Sequence, residues 1–123
     1  MTKVLVVDDD VEAAETLALL LSLSGHEVHV AHNGRQALGA WNAHRHPVVF
    51  LDLEMPIMDG FDAAKAIRDV QEFDPPLVVA LTGRGQEVVP LTKACGFDFL
   101  MKKSAYAVSL VAAVKRVEED AAA

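Results

Sequence analysis

Short apolar runs alternate with longer segments of helical spacing along most of the chain. The five short runs, rich in β-branched residues, are Val4–Val7, Val28–Val30, Val48–Leu51, Leu77–Leu81 and Phe97–Met101. In the intervening segments apolar residues recur at the spacing of one helix face, as at Ala14, Leu17 and Leu21. Strands that alternate with helices pair in parallel, because each helix serves as the crossover connection. The pattern predicts an α/β fold of five βα units, (βα)₅, with a doubly wound five-stranded parallel sheet covered by helices on both faces.

Residues at the ends of the helical segments support the same division. Gly25 and Gly96 follow helical segments, at the position where a left-handed residue commonly ends a helix. Asn33 and Ser104 precede helical segments as candidate N-caps, and Asp10 is the candidate N-cap of the first helix.

Length and composition limit the class of protein. A chain of 123 residues with 52% hydrophobic residues predicts one globular domain over residues 1–123 and excludes a disordered chain. The 18 acidic residues against 11 basic ones give a net charge of -7, which argues against a direct nucleic-acid partner. A single cysteine, Cys95, excludes an internal disulfide framework and a multi-cysteine zinc site. No signal peptide or membrane-inserted segment is recognisable, so a cytoplasmic location is expected.

Acids, a hydroxyl and amines follow four of the five predicted strands. They are Asp8, Asp9 and Asp10 after the first strand, Asp52 after the third, Thr82 after the fourth, and Lys102 and Lys103 after the fifth. In an open parallel sheet ligands bind beyond the carboxyl ends of the strands, so these side chains are predicted to line one site.

Three of these carboxylates converge if the first and third strands are neighbours. Two carboxylates about 4 Å apart repel each other by about 1 kcal/mol in water and by about 4 kcal/mol at an effective dielectric constant of about 20. Asp8, Asp9 and Asp52 therefore need raised pKa values or a cation, and a small set of oxygen ligands suits Mg²⁺. Calcium is less suited, since the EF-hand loop pattern is absent from the sequence. A metal beside a lysine and a threonine hydroxyl points to a phosphoryl group.

Four motifs in this order resemble the receiver domain of two-component response regulators. They are VVDDD (6–10), LDLEMPIMDG (51–60), ALTG (80–83) and DFLMKK (98–103). Each motif alone is weak, but the four together, at the family's spacings, cover essentially the whole chain. The resemblance implies the flavodoxin-like strand order 2-1-3-4-5.

The resemblance also implies a role for each acid of the predicted site. Asp52 is expected to accept a phosphoryl group from a phosphohistidine on a sensor histidine kinase or a histidine phosphotransfer protein. Asp9, Asp52 and the backbone carbonyl of Glu54 are expected to hold Mg²⁺, with Asp8 acting mainly through a bound water. The domain would catalyse only its own phosphorylation and dephosphorylation, and so would not be an enzyme in the ordinary sense.

The remaining motif residues are expected to report the phosphorylated state to a downstream protein. By the resemblance, Thr82 turns its hydroxyl onto the phosphoryl group, Lys102 pairs with another of its oxygens, and Phe99 occupies the aromatic switch position.

The sequence departs from the family in the last motif. Lys103 stands where the family usually has proline, and a non-proline cis bond costs about 2.5–4 kcal/mol, so a trans bond is expected. Phe99 lacks the hydroxyl of the tyrosine that is common there. Glu54 and Arg84 are predicted to pair as a lid over the site, and Gly83–Gly85 is interpreted as a flexible turn.

Two other functions remain open. Because Lys103 departs from the family pattern, one alternative is a degenerate receiver that binds a partner without being phosphorylated. An aspartate-nucleophile phosphatase also has an aspartate after its first strand, although the motif that begins at Asp8 differs and the chain leaves no room for a cap domain.

The histidines, Cys95 and Trp41 are given structural interpretations. His26, His29 and His32 recur every three residues, which in a strand alternates the two faces, so zinc binding is judged improbable. All five histidines are predicted to lie at the surface. Cys95 and Trp41 are interpreted as core or near-core residues of helices.

Overall fold

A computed structural model describes residues 2–55, 57–70, 75–82 and 93–102. Its strands are β1 (Lys3–Val7), β2 (Glu27–Ala31), β3 (Val48–Asp52), β4 (Leu77–Thr82) and β5 (Phe99–Lys102). Its helices are α1 (Val11–Leu23), α2 (Gly34–His44) and α3 (Gly60–Asp69). The five predicted strands are confirmed with small shifts of their ends, the largest at β5, which begins at Phe99 and not at Phe97. The fourth helical segment, apart from its end near Cys95, and the fifth lie outside the described residues.

All the strands belong to one parallel sheet in the order β2-β1-β3-β4-β5. β1 pairs with β2 on one side and with β3 on the other, and β4 lies between β3 and β5. The predicted α/β class, the parallel sheet and the strand order are therefore confirmed. The order changes direction at β1 and β3, so the carboxyl ends of these two strands flank the place where such sheets bind ligands.

The side chains of the sheet alternate between two hydrophobic clusters. Leu5, Val7, Val49 and Leu51 point to the face that carries α2 and α3, where Trp41 is fully buried. The other face contains Val4, Val6, Val48, Phe50, Val79 and Leu81 together with the buried residues of α1. The predicted stripe of Ala14, Leu17 and Leu21 supplies those α1 residues. Because both faces are covered, β1 and β3 are apolar almost throughout.

The predicted helix ends are also confirmed where they are described. Asp10 caps α1 by accepting from the backbone N–H of Ala13, and Asn33 caps α2 by accepting from Gln36. Gly25 and Gly96 both have left-handed φ angles, +93° and +90°. Ser104 lies outside the described residues.

The prediction that all histidines lie at the surface is wrong for two of them. His46 is completely buried, and His26 is nearly so. The chain turns inward at His46 to enter β3, and Trp41 donates its indole N–H to the backbone carbonyl of His46. Cys95 and Trp41 are both buried, as predicted.

Within the parts of the chain that the structure describes, no helix is long and apolar enough to span a bilayer.

Candidate functional site

Three carboxylates meet at the carboxyl edge of β1 and β3. Asp8 and Asp9 directly follow β1, and Asp52 is the last residue of β3. Each side chain offers one oxygen atom, and these three atoms all lie within 4.8 Å of one another. The predicted convergence of Asp8, Asp9 and Asp52 is therefore confirmed, and its cause is the pairing of β1 with β3.

Two of these carboxylates are buried, and backbone amides orient them. Asp8 and Asp52 are only 1% and 3% exposed, whereas Asp9 is exposed. The N–H of Asp10 donates to Asp8 Oδ1 over 3.0 Å, and the N–H of Glu54 donates to Asp52 Oδ1 over 3.1 Å. In both cases the donor lies two residues after its acceptor, so each loop bends back over the strand end. These bonds hold one oxygen of each buried carboxylate in place.

The geometry of the cluster fits a small, hard cation. Mg²⁺ binds oxygen at about 2.0–2.1 Å in an octahedron, which separates neighbouring ligand atoms by about 3 Å and opposite ones by about 4 Å. Oxygens within 4.8 Å of one another can reach that arrangement with small side-chain movements. The exposed Asp9 leaves one side open to water, which Mg²⁺ usually retains in its coordination shell.

Thr82 and Lys102 end the next two strands of the sheet. Thr82 is the last residue of β4 and is buried, and Lys102 ends β5 in register with it. β4 pairs directly with β3, with Asp52 opposite Leu81, so Thr82 stands one residue beyond the level of Asp52. The sheet thus brings the predicted hydroxyl to the acidic edge and the predicted lysine to the strand beside it.

The expected switch and lid residues are placed in part. Phe99 is 50% exposed and pairs with Val79 at the start of β5, so its ring faces outward in this structure. Glu54 is exposed beside Asp52. Arg84, its expected partner, lies outside the described residues, as does Lys103 with the peptide bond that precedes it.

Residues to which the sequence assigned no role in the site lie around it. Gly60 starts α3 and donates its N–H to the carbonyl of Leu53, and Gly34 starts α2 and donates to the carbonyl of Met58. The Nδ1 atom of His32 lies 3.0 Å from the backbone carbonyl oxygen of Asp8. His32 follows β2, the neighbour of β1, and that adjacency is the signal that would have found it.

The fold and the carboxylate cluster together define a flavodoxin-like α/β domain whose site lies where the strand order reverses. A sequence profile of the response regulator receiver domain matches residues 4–115. The chain therefore belongs to the response regulator receiver domain family of two-component systems.

Individual relatives agree with this assignment. The chain is 41% identical over 88 residues to a CpxR homolog of Haemophilus influenzae, a transcriptional regulatory protein, and the match covers 72% of the chain and 37% of that relative. It is 35% identical over 113 residues to the transcriptional regulatory protein PrrA of Mycobacterium tuberculosis, covering 92% of the chain and 48% of PrrA. The chain thus spans less than half the length of these two relatives.

The fold has a close counterpart among solved structures. The chemotaxis response regulator CheY4 of Vibrio cholerae superposes with a TM-score of 0.87 at 31% sequence identity. The superposition covers 95% of this chain and 98% of CheY4.

Proposed function

We propose that the chain is a phosphoryl-accepting signalling switch with Asp52 as the acceptor. A carboxylate oxygen of Asp52 attacks the phosphorus of a phosphohistidine, the phosphorus–nitrogen bond breaks, and the histidine leaves as neutral imidazole after taking up a proton. The observation that carries the proposal is the meeting of the Asp8, Asp9 and Asp52 carboxylates at the carboxyl edge of the two central strands. Such a cluster needs either raised pKa values or a cation, and a cation beside a carboxylate nucleophile would offset the charge of an incoming phosphoryl group.

The ligands proposed for Mg²⁺ are Asp9, Asp52 and the backbone carbonyl of Glu54, with Asp8 acting mainly through a bound water. When bound, Mg²⁺ supplies positive charge that offsets the carboxylates and the incoming phosphoryl oxygens. The chain itself orients the acceptor, because the N–H of Glu54 donates to Asp52 Oδ1 and so fixes the direction of the carboxylate.

Thr82, Lys102 and Phe99 are proposed to read out the new group. A phosphoryl group adds about -1.5 to -2 charges and three acceptor oxygens. The Thr82 hydroxyl donates to one oxygen and the Lys102 ammonium pairs with another, which favours a second arrangement of the loops after β4 and β5. A shift from mostly off to mostly on needs about 5.5 kcal/mol, and charge-assisted hydrogen bonds supply about 1.5–3 kcal/mol each. Phe99 turns inward from its exposed position as Thr82 moves.

The proposed partners follow from this chemistry. The donor is a sensor histidine kinase or a histidine phosphotransfer protein, and the recipient of the signal is a downstream protein that recognises the altered loops. A net charge of -7 disfavours direct contact of this chain with nucleic acid. The chain acts only on its own acyl phosphate, and we do not propose turnover of a separate substrate.

Incubation with a small phosphodonor and Mg²⁺, followed by intact-mass measurement, tests the proposal. We expect a gain of one phosphoryl group that disappears in Asp52→Asn and on removal of Mg²⁺. Asp69→Asn removes one carboxylate charge at the end of α3 and should leave the gain unchanged. Lys102→Ala should still be modified, but slowly and without the accompanying change in the loops. Lys103→Ala is the matched lysine control and should behave as wild type.

Two results would contradict the proposal, and each would favour one of the other two functions. No mass gain that depends on Asp52 would favour a receiver that binds its partner without phosphorylation. Sustained turnover of a phosphate ester that is lost in Asp8→Asn but retained in Asp52→Asn would identify an aspartate-nucleophile phosphatase. If Lys103→Ala, and not Lys102→Ala, uncouples the loops from phosphorylation, the proposed role belongs to Lys103.

A further inference from the structure

Three histidine rings meet on the α2 face of the sheet, away from the carboxylate edge. His29 lies in β2, His44 is the last residue of α2, and His46 lies between α2 and β3. The ring centroids are 4.3 Å apart for His29 and His44, 4.9 Å for His29 and His46, and 5.6 Å for His44 and His46. The proposed phosphorylation site uses none of these side chains.

The contacts of His29 resemble those of a metal-ligating imidazole. Its Nδ1 atom lies 2.7 Å from His46 Nε2, and its Nε2 atom lies 3.6 Å from the Glu27 carboxylate. Histidines that bind metals usually hold a carboxylate or carbonyl at the second ring nitrogen, which fixes the tautomer and directs the free lone pair at the metal. In the tautomer that carries the proton on Nε2, His29 has its N–H on the side of Glu27 and its Nδ1 lone pair on the side of His46.

His46 brings a buried imidazole to the same place. The residue is fully buried, and its Nδ1 atom has no hydrogen-bond partner among the described residues. Its other ring nitrogen, Nε2, faces Nδ1 of His29. The surrounding core therefore holds this ring where the other two meet.

We propose that His29, His44 and His46 form a binding site for one divalent transition-metal ion, with Glu27 orienting His29. Three imidazoles suit Zn²⁺, Ni²⁺ or Cu²⁺ and disfavour Mg²⁺, which prefers oxygen. The site is therefore chemically distinct from the carboxylate cluster, and the two sites select different cations.

Binding requires two small adjustments that the fold permits. Metal–nitrogen bonds of about 2.0–2.1 Å in a tetrahedron place ligand nitrogens about 3.3 Å apart, so His29 Nδ1 and His46 Nε2 must separate slightly. Among the described residues only Asp8, Asp9 and Asp52 already offer three ligand atoms within 4.8 Å, so one ring must also turn. His44 is exposed at the end of α2, so its ring has room to turn. A water molecule would complete the fourth coordination position of the metal.

Zinc titration of tag-free protein at neutral pH, with Mg²⁺ in excess at the carboxylate cluster, tests the proposal. We expect calorimetry to give one Zn²⁺ per chain, and NMR to show the ring signals of His29, His44 and His46 shifting together. His44→Gln and His29→Gln should each weaken binding by at least about 10-fold, because loss of even an outer-shell partner commonly costs about 10–100-fold. Glu27→Gln should weaken Zn²⁺ binding by about 10–100-fold, because it removes the carboxylate that orients His29.

His32→Gln is the matched control. His32 follows the carboxyl end of β2, where its ring lies against the backbone carbonyl of Asp8. Its replacement should therefore leave the Zn²⁺ affinity unchanged. His44 is exposed, so His44→Gln keeps the buried His46 and the fold, which the near-ultraviolet signal of Trp41 verifies. Absence of Zn²⁺ binding, or binding that His44→Gln and His29→Gln leave within about 2-fold of wild type, would overturn the proposal.

Discussion

Gly60 lies directly against the backbone of the proposed phosphoacceptor. A β-carbon at this position would collide with the carbonyl oxygen of Asp52 and would lie 2.9 Å from the Cα atom of Leu53. Backbone cannot move aside as a flexible side chain can, so Gly60→Ala should destabilise the fold by about 1–3 kcal/mol through overpacking. It should also displace Asp52 and slow phosphorylation. Urea unfolding followed by the fluorescence of Trp41, with phosphodonor kinetics, measures both effects.

Gly39→Ala is the control for this substitution. Gly39 lies within α2, and a β-carbon there would meet no heavy atom within 4 Å among the described residues. Alanine favours the helix, so this variant should be more stable than wild type by about 0.4–1 kcal/mol. If Gly60→Ala is stabilised as much as Gly39→Ala, a β-carbon at position 60 does not collide with the backbone of Asp52 and Leu53.

The buried His46 should make the fold sensitive to mild acid. Its pKa falls from 6.5 to about 4 in the folded state, chiefly because burial disfavours the imidazolium and secondarily because His29, His44 and Lys3 add positive charge. Between these two values the unfolded chain binds more protons than the folded one, so stability decreases as the pH falls from about 6.5 towards 4. The loss from this one group is on the order of 3 kcal/mol at the acid end and is absent above pH 7.

His46→Leu isolates that contribution. Leucine fills the buried position without a titrating group, and the backbone carbonyl that accepts the Trp41 N–H is retained. Urea unfolding at a series of pH values should show a shallower slope for the variant between pH 6.5 and 4.5. Identical slopes would show that His46 takes up its proton in the folded state as readily as in the unfolded state.

At the scale of elements, Arg68 links α3 to the segments that precede β4 and β5. Its Nε donates to the Gly96 carbonyl, its Nη1 to the Pro76 carbonyl and its Nη2 to the Asp98 carboxylate, over 2.8, 2.9 and 2.6 Å. Asp98 Oδ2 also accepts from the N–H of Val78, at the start of β4. One guanidinium thus ties the helix to the segments that precede β4 and β5.

Arg68→Ala should therefore destabilise the fold by about 2–3 kcal/mol, since charged hydrogen bonds are lost and the partly exposed Asp98 is left with less support. Arg68→Lys should recover only part of the loss, because an ammonium cannot donate to three separated oxygens as a planar fork does. Arg35→Ala, at an exposed position of α2, is the control and should change stability by less than about 0.5 kcal/mol. Unfolding midpoints in urea separate these cases, and equal midpoints for Arg68→Ala and Arg35→Ala would contradict the role of the fork.

The elements themselves could be predicted because their signals are local. The apolar runs and the caps at Asp10 and Asn33 each involve residues a few positions apart, and they placed the five strands to within about two residues and the starts of α1 and α2 directly after their caps. The contacts of Arg68 and the meeting of His29 with His46 join residues 28 and 17 positions apart. No short-range pattern encodes such distances, and the surface interpretation of His46 failed for that reason.

At the scale of the whole molecule, the carboxylate site could be predicted because the fold creates it. Once β1 and β3 are neighbours in a parallel sheet, any polar residues at their carboxyl ends must share an edge, so Asp8, Asp9 and Asp52 follow from topology. Details that depend on loop conformation could not be predicted in this way. Examples are the hydrogen bond from the backbone N–H of Glu54 to the Asp52 carboxylate and the contact of the His32 ring with the Asp8 carbonyl.

We expect the stability of the molecule to depend on cations, because part of its net charge of -7 is gathered in the carboxylate cluster. Carboxylates gathered at one edge repel one another, and a ligand that binds only the folded state stabilises it by mass action. Mg²⁺ at about 100 times its Kd should raise the free energy of unfolding by about 2.7 kcal/mol, whereas K⁺ at the same ionic strength should add far less. Thermal unfolding with each salt measures the difference.

Asp9→Ala should remove most of the Mg²⁺ increment and, by relieving repulsion, should be at least as stable as wild type in the absence of Mg²⁺. Asp69→Ala changes the net charge equally but lies at the end of α3, and it should keep the full increment. If the two variants respond alike, the stabilisation comes from general screening of an acidic surface. A selective loss in Asp9→Ala would locate it at the edge where β1 and β3 end, because only there, among the described residues, do three carboxylates offer oxygen atoms within 4.8 Å of one another.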